Sequence, residues 1–416
     1  MNAIILFQGA QLGNNIHPFV SFEVSEFAQR YEQVYLICLD YSCSDAELRN
    51  FKNVHIVRIK LSKVKRSIFS LFDIVSNYGL ADCVHGIRKR VPLKQYIKKT
   101  CEVLMIGRSL YYEACKIIRK NPQEKWVAEG YWLSGPAYAV ALIKRKYPGV
   151  ICISRAHSSE IDVVRNPAAV CQMKKFIYRY LDRIFFVSEW GKRNFTAIMS
   201  EYGIKTGEKC IVSRLGVVKK NEDINPGSSD CIFRILTCSR AVKLKRLDLL
   251  AKALEEISDT KIEWTHIGDG PDLEIIKEQA KKLPANIVVR FLGSMSNEKV
   301  HDYLGSSPID LFVNVSQYEG LPVSVMEAFA YGIPALATSA GGTAELVNDN
   351  TGKLIPVETG SSDLADYIRD MIDKIKRDPA AYKKNAFSTW NTQYNQSSNY
   401  SQFFEEVDKI PVYQNG

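Results

Sequence analysis

"DLFVNVSQYEGLPVSVMEAFAYG", residues 310–332, reads as strand, loop and helix in that order. "DLFVNVS" is an apolar run of the kind a buried strand carries. Residues 317–320 break the pattern. Pro322 fits the first turn of a helix, where its missing N–H costs nothing. Gly332 fits the helix end, and Pro334 follows it. Two carboxylates occupy this stretch, Glu319 in the loop and Glu327 inside an apolar run. Carboxylates are rarely fully buried unless they are paired. Glu327 falls about five residues into the helix, roughly 7.5 Å further along its axis. Free backbone N–H groups from Gly320 and Leu321 to Val323, past Pro322, point out of the helix N-terminus toward any anion, and a diphosphate fits there. Glu327 could then accept hydrogen bonds from a ribose diol, and Glu319 from sugar hydroxyls. Taken singly, the plainer reading is that Glu319 caps a helix and Glu327 meets solvent.

The same unit recurs outward in both directions. Upstream lie the strands "CIFRILTCS", "IEWTHIG" and "IVVRFLG", alternating with helical patterns. Downstream come "PALATS" and "GKLIPV". The first half of the chain repeats the scheme with "NAIILF", "QVYLICLD", "VHIVRI", "VICISRAH" and "RIFFVS". Such alternation predicts two doubly wound parallel α/β sheets. Residues 219–230, "KKNEDINPGSSD", are polar and rich in turn formers, and they read as the linker. The expected domains are 1–218 and 231–385, with an amphipathic tail, 386–416, packing back on the first. In open α/β sheets ligands bind at the carboxyl ends of strands, so the chemistry should collect in loops that follow strands, facing a cleft between the halves.

At 416 residues the chain exceeds one hydrophobic core. The formal charge is +9. Residues 56–120 alone hold 15 Lys or Arg against 4 Asp or Glu. A basic surface of this kind suits an anionic membrane, or is simply a solvated face. No nucleic-acid-binding motif accompanies it. The ten cysteines form no CxxC pair and no metal-ligand spacing, and they read as small core hydrophobes in a reducing compartment. No apolar run reaches the roughly 18 residues of a spanning helix. The expectation is a cytoplasmic protein, with peripheral attachment at the inner face of the cell membrane as an option.

Other loops carry candidate ligands. "CSRAVKLKR" sets Arg240 after a strand and Lys245 before a helix, with Lys243 and Arg246 as helpers. Arg240 can fork onto a phosphate, whereas Lys245 acts as a point charge. "HIGDGP" reads as a plain turn around Asp269. "RFLGSMS" ends a strand at Gly293 and, through Met295, offers backbone to a base edge. "AGGTAELV" places Gly341 and Gly342 at a helix start. In the first half, His157 ends a strand in "ISRAHSSEID" and is placed to bond a substrate. The loop 8–15 lacks G-x-G-x-x-G, which counts against an NAD enzyme.

Together, "SRAVKLK", "IGDGP", "FLG", the E-x7-E segment "EGLPVSVME" and "GGTAE" occur in one half and in that order. With "SRAH", "FVSEWGK" and "LGV" in the first half, the chain resembles the retaining GT-B glycosyltransferases of family 4 over essentially its whole length. The resemblance implies transfer of a sugar from a nucleotide-diphospho-sugar co-substrate to a glycan or lipid-linked acceptor, with retention and with no metal or other cofactor. It implies a place in bacterial surface polysaccharide or glycolipid assembly. Arg240 and Lys245 would hold the diphosphate, Glu327 the ribose and Glu319 the donor-sugar hydroxyls. His157 would sit by the donor sugar, and Gly13 would approach donor or acceptor. The loop "QGAQLGNN" departs from the glycine pair often seen in relatives. A nucleotide-sugar 2-epimerase and a non-catalytic nucleotide-sugar-binding subunit are the rival readings.

Overall fold

The computed structural model describes residues 1–7, 18–39, 48, 50–60, 77–163, 166–170 and 172–411. Gly13 lies outside them, as does 61–76 of the basic segment. Contacts divide the chain into two units. The first is Met1–Ser213 with Gln402–Gly416, and the second is Arg214–Ser401.

The first unit holds a seven-stranded sheet of β1 (Asn2–Phe7), β2 (Val34–Leu39), β3 (Val54–Ile59), β4 (Trp126–Gly130), β5 (Ile151–Ala156), β6 (Arg183–Phe186) and β7 (Cys210–Val212). The spatial order is β3-β2-β1-β4-β5-β6-β7, and every pairing is parallel. All six residues of β1 are buried, because parallel strands are covered on both faces. The crossovers include α1 (Pro18–Arg30), α2 (Asn77–Arg88), α3 (Leu93–Lys120), α4 (Gly135–Lys146), α5 (Lys174–Tyr180) and α6 (Glu189–Glu201). Ser188 caps α6 by accepting from the Gly191 N–H at 3.1 Å.

The second unit holds β8 (Phe233–Cys238), α7 (Leu247–Glu255), β9 (Ile262–Ile267), α8 (Leu273–Ala280), β10 (Ile287–Gly293), α9 (Asn297–Ser306), β11 (Leu311–Asn314), α10 (Val323–Ala330), β12 (Ala335–Thr338) and β13 (Gly352–Ile355). Its six parallel strands run β10-β9-β8-β11-β12-β13. The strand order reverses direction between β8 and β11, and a doubly wound sheet opens its ligand crevice at such a point. Helices α11 (Ser361–Arg377), α12 (Pro379–Thr389) and α13 (Gln396–Asp408) complete the chain. Trp264 is fully buried, and its indole N–H donates to Thr237 Oγ1 at 2.9 Å, so its polar edge is satisfied.

Two segments differ from expectation. Residues 219–230 do not hang free as a linker, because Asn225 pins them to the second unit. Its side chain is 1% exposed. It donates to the Leu304 and Ser307 carbonyls, both at 2.7 Å, and accepts from the Ile309 N–H at 3.1 Å. The division between units falls upstream, at Ser213–Arg214. Of the tail, residues 386–401 count with the second unit and only Gln402 onward with the first. There Phe403 and Phe404 pack on Phe27, with ring centroids 6.2 and 5.3 Å away.

The first unit also buries a charge cluster that the sequence did not announce. Arg155 Nε donates to Glu23 Oε1 at 2.6 Å and lies 3.9 Å from Glu129 Oε1. All three side chains are at most 1% exposed. One guanidinium cannot neutralise two buried carboxylates. Burial, and then Glu23, push Glu129 well above the usual carboxyl range, so Glu129 keeps its proton.

Candidate functional site

Two loops flank the switch point of the second sheet. The first follows β8 and carries Arg240 and Lys245. The second follows β11 and carries Glu319. They are tied together by the Gln317 N–H, which donates to the Leu244 carbonyl at 2.9 Å. Arg246, read as a phosphate helper, has a different task. It adopts a left-handed backbone at φ 49°. Its side chain donates to the Val315 and Val357 carbonyls, each at 2.6 Å, clamping the loops after β11 and β13. A guanidinium spent on two carbonyls this way is a poor phosphate ligand.

Within this frame Lys245 Nζ meets Glu319 Oε1 at 2.5 Å, with the side chains 23% and 13% exposed. Asn314 Nδ2 adds a hydrogen bond to the same oxygen at 3.3 Å. The resemblance gave Lys245 to the diphosphate and Glu319 to the sugar hydroxyls, and the fold brings the two side chains into contact. Arg240 is exposed, and its side chain makes no hydrogen bond or ion pair among the described residues. It lines a pocket of about 600 Å³ with Gly268, Asp269, Gly270, Pro271 and Ser294. The backbone of this pocket leaves no room for side chains. A Cβ on Gly268 would lie 1.9 Å from the Ser239 carbonyl oxygen, and one on Gly270 would lie 2.2 Å from that of Ala241. Asp269 Oδ1 accepts from the Gly270 N–H at 2.7 Å, which is the turn role read for it.

Helix α10 starts at Val323, with Pro322 as its N-cap. The N–H groups of Leu321, Val323 and Ser324 make no hydrogen bond among the described residues, so the helix start keeps its anion-facing donors. Glu327 is 8% exposed. Its Oε1 accepts from Asn297 Nδ2 at 2.8 Å, and His301 Nε2 stands 3.6 Å away. His301 is fixed in turn by Tyr331 OH at 3.0 Å from Nδ1. Glu327 therefore does not rely on a ligand to tolerate its apolar helix, because neutral and basic groups of α9 hold one oxygen. Asn297 and His301 were missed in the sequence. Their four-residue spacing on one helix face was the available signal.

Gly293 has φ +71°, and a Cβ there would meet nothing within 4 Å, so its glycine serves the backbone turn. Met295 is half-buried against the α10 core. Gly341 was placed at a helix start, where close backbone approach to a ligand is one use of such glycines. Instead, with φ +55°, its α-carbon sits so close that a Cβ would lie 1.8 Å from the Glu319 carbonyl oxygen. The Gly342 N–H donates to the Gly320 carbonyl at 2.8 Å. The glycine pair seats the Glu319 loop. Glu345 pairs with Arg214 at 2.9 Å.

His157, in the first unit, follows β5 and opens a short turn, Ser158–Glu160. Its N–H donates to Glu160 Oε2 at 2.8 Å. The ring stands beside Trp132 and Tyr131, with centroids 4.5 and 5.1 Å away. Burial pushes the Glu160 carboxyl up to about 7, against hydrogen bonds from Ser159 and the His157 N–H. Among the described residues, no three His, Cys, Asp or Glu side chains gather as a metal-ligand set. No helix there is long and apolar enough to cross a membrane.

Two parallel sheets, each with a central switch point, define the GT-B fold. Solved structures agree on this. Anabaena HepE in complex with UDP superposes with a TM-score of 0.68 at 16% identity, covering 99% of this chain and 100% of that one. The lipopolysaccharide outer core galactosyltransferase WaaB also gives 0.68, at 15% identity, covering 98% and 100%. Residues 221–389, within the second unit, match the family described as Glycosyl transferases group 1. Among curated proteins, N-acetyl-alpha-D-glucosaminyl L-malate synthase of Bacillus anthracis is 30% identical over 195 residues, 45% of this chain and 42% of that protein. The chain thus spans less than half the length of that relative. The O-antigen biosynthesis glycosyltransferase WbnH of Escherichia coli is 27% identical over 274 residues, 65% of this chain and 72% of its own length.

Proposed function

We propose that this protein is a retaining glycosyltransferase, independent of metal, that moves a sugar from a nucleotide-diphospho-sugar to an acceptor hydroxyl. The observation that carries the reading is the Lys245–Glu319 pair at the switch point. Arg240 lies in the same loop after β8 as Lys245, and the open N–H groups of α10 follow the loop of Glu319, so a diphosphate bound at the switch point would draw on cations and backbone donors together. A carboxylate stands beside them, as sugar hydroxyls require. On this reading the bond from the anomeric carbon to the diphosphate breaks, and a bond to the acceptor oxygen forms on the same face. The acceptor proton passes to the leaving phosphate oxygen. Arg240, Lys245 and the start of α10 stabilise the charge that develops there. Glu319 orients the sugar, and Glu327 accepts from the ribose. The resemblance assigns His157 to the donor sugar and Gly13 to donor or acceptor.

The setting we favour is bacterial surface polysaccharide or glycolipid assembly, in the cytoplasm. The O-antigen role named for WbnH supports it, and the UDP held by HepE makes a uridine diphosphate sugar the first donor to try. Incubating the protein with a panel of nucleotide sugars, with and without acceptor glycans, tests the reading. Acceptor-dependent release of nucleoside diphosphate is the expected result, lost in Arg240→Ala. Conversion of the sugar without release would identify an epimerase, and binding without turnover a non-catalytic subunit.

A further inference from the structure

Helices α2 and α3 present an apolar ridge to solvent. Leu80, Val84 and Ile87 are 52, 49 and 65% exposed, and Leu93 and Ile97 are 61 and 49% exposed. Their spacings of four and three along α2, and four along α3, align them on single helix faces. The opposite face of α2 fixes this orientation. There Asp82 is buried and accepts from Tyr202 OH at 2.8 Å and from the Met173 N–H. Tyr96 and Val91 anchor the start of α3 in a small core with Ala168 and Ile198.

Cations frame the ridge. Arg88, Lys89, Arg90, Lys94 and Lys98 are all exposed. Lys89 is paired with Glu201 of α6 at 2.6 Å, and the same carboxylate meets the buried His85 at 3.0 Å. The other four make no ion pair among the described residues. Asp82 is the one acid between residues 77 and 98, and it is buried. The turn joining the helices ends α2 in a paired closure, with Val91 N–H to the Gly86 carbonyl and Arg90 N–H to the Ile87 carbonyl, both at 3.0 Å. Arg90 stands at φ +55° in this turn, where glycine is favoured. The chain thus keeps an exposed cation at a position whose backbone favours another residue.

We propose that this face docks on an anionic lipid bilayer. The aliphatic side chains would enter the boundary between headgroups and acyl chains. The long basic side chains would reach headgroup phosphates without leaving their stems in water. A protein partner fits less well, since protein interfaces deplete lysine and favour aromatic side chains. Between residues 77 and 98 neither aromatic residue, Tyr78 or Tyr96, is exposed. The proposal does not depend on the sugar chemistry, because lipid binding is read without turnover.

Co-sedimentation of the full chain with vesicles tests it, using phosphatidylcholine alone or mixed with phosphatidylglycerol. The protein should bind the anionic vesicles, ignore the neutral ones and be released by salt. Replacing Leu80, Val84 and Ile87 together by Asn should weaken binding on the order of 100-fold. Arg90→Gly should weaken it about five-fold while leaving thermal stability equal or higher, since glycine fits that turn. Equal binding to both vesicle types, or full binding by the triple variant, would overturn the proposal. So would a ridge variant that turns a dimer into a monomer while the wild type ignores lipid, since the face would then join two copies of this chain.

Discussion

Lys245 and Glu319 offer a test in which binding and turnover should move in opposite directions. Their contact of 2.5 Å, with side chains 23% and 13% exposed, is largely withdrawn from solvent. A hydrogen bond to a charged group in such a setting contributes about 1.5–3 kcal/mol. On the proposed reading Lys245 divides its charge between Glu319 and the diphosphate. Lys245→Met then removes a phosphate ligand and leaves Glu319 facing the phosphates without a counter-charge, so affinity for the nucleoside diphosphate should fall about 10- to 150-fold. Glu319→Gln removes the competitor for Lys245. Affinity for the nucleoside diphosphate should stay level or tighten by up to about ten-fold, while turnover falls by about 100-fold for want of the sugar's carboxylate. Calorimetry with the nucleoside diphosphate reads the first quantity, and steady-state transfer reads kcat. The double variant should recover part of the affinity lost in Lys245→Met, since the unpaired carboxylate is gone. If Glu319→Gln weakens nucleotide binding as much as Lys245→Met, the glutamate belongs to the phosphate side and the assignment is wrong. If Lys245→Met binds normally, the lysine serves only as a partner for the glutamate.

Further consequences are open to measurement. Glu327→Gln should raise KM for the donor about ten-fold, and should shrink the difference in affinity between a ribonucleoside diphosphate and its deoxy analogue; an unchanged ratio would remove Glu327 from the ribose. Gly341→Ala forces a Cβ to within 1.8 Å of the Glu319 carbonyl oxygen at φ +55°. It should destabilise the protein by at least about 2 kcal/mol in urea titration and depress transfer with it, and normal stability would show that the loop has slack. Glu160 titrates at about 7 in the fold against an ordinary 4.5. Folding therefore favours its protonated form. That contribution is complete below pH 4.5 and is lost as pH rises through 7. Glu160→Gln, neutral throughout, should gain in melting temperature on the wild type between pH 5 and pH 8, and parallel curves would show that Glu160 does not titrate there.

Much of the architecture was legible from periodicity. The apolar runs that became β1, β8 and β9 fell within a residue or two of their observed bounds, because strands buried on both faces leave continuous hydrophobic sequence. The polar composition of 219–230 misled, since turn formers mark irregular backbone and say nothing of whether it is anchored. Asn225 anchors it through carbonyls of α9 and the loop after it, some eighty residues away in sequence. The glycine pair at 341–342 was visible, but its purpose was not. A close approach can be to a ligand or to another stretch of backbone, and only the position of the Glu319 carbonyl decides between them.

The sequence by itself determined the twice-wound α/β plan and the strand–loop–helix around Glu319 and Glu327, and it supplied the residues proposed to meet a nucleotide sugar. Those are local properties, written in spacing, in proline and glycine, and in the chemistry of single side chains. The tertiary structure decided which of them meet. The strand order that sets β8 beside β11 brings Lys245 to Glu319 across 74 positions of chain and leaves Arg240 facing open space. It also decided that the apolar side chains of α2 look outward, because which face of an amphipathic helix is buried depends on what packs against it.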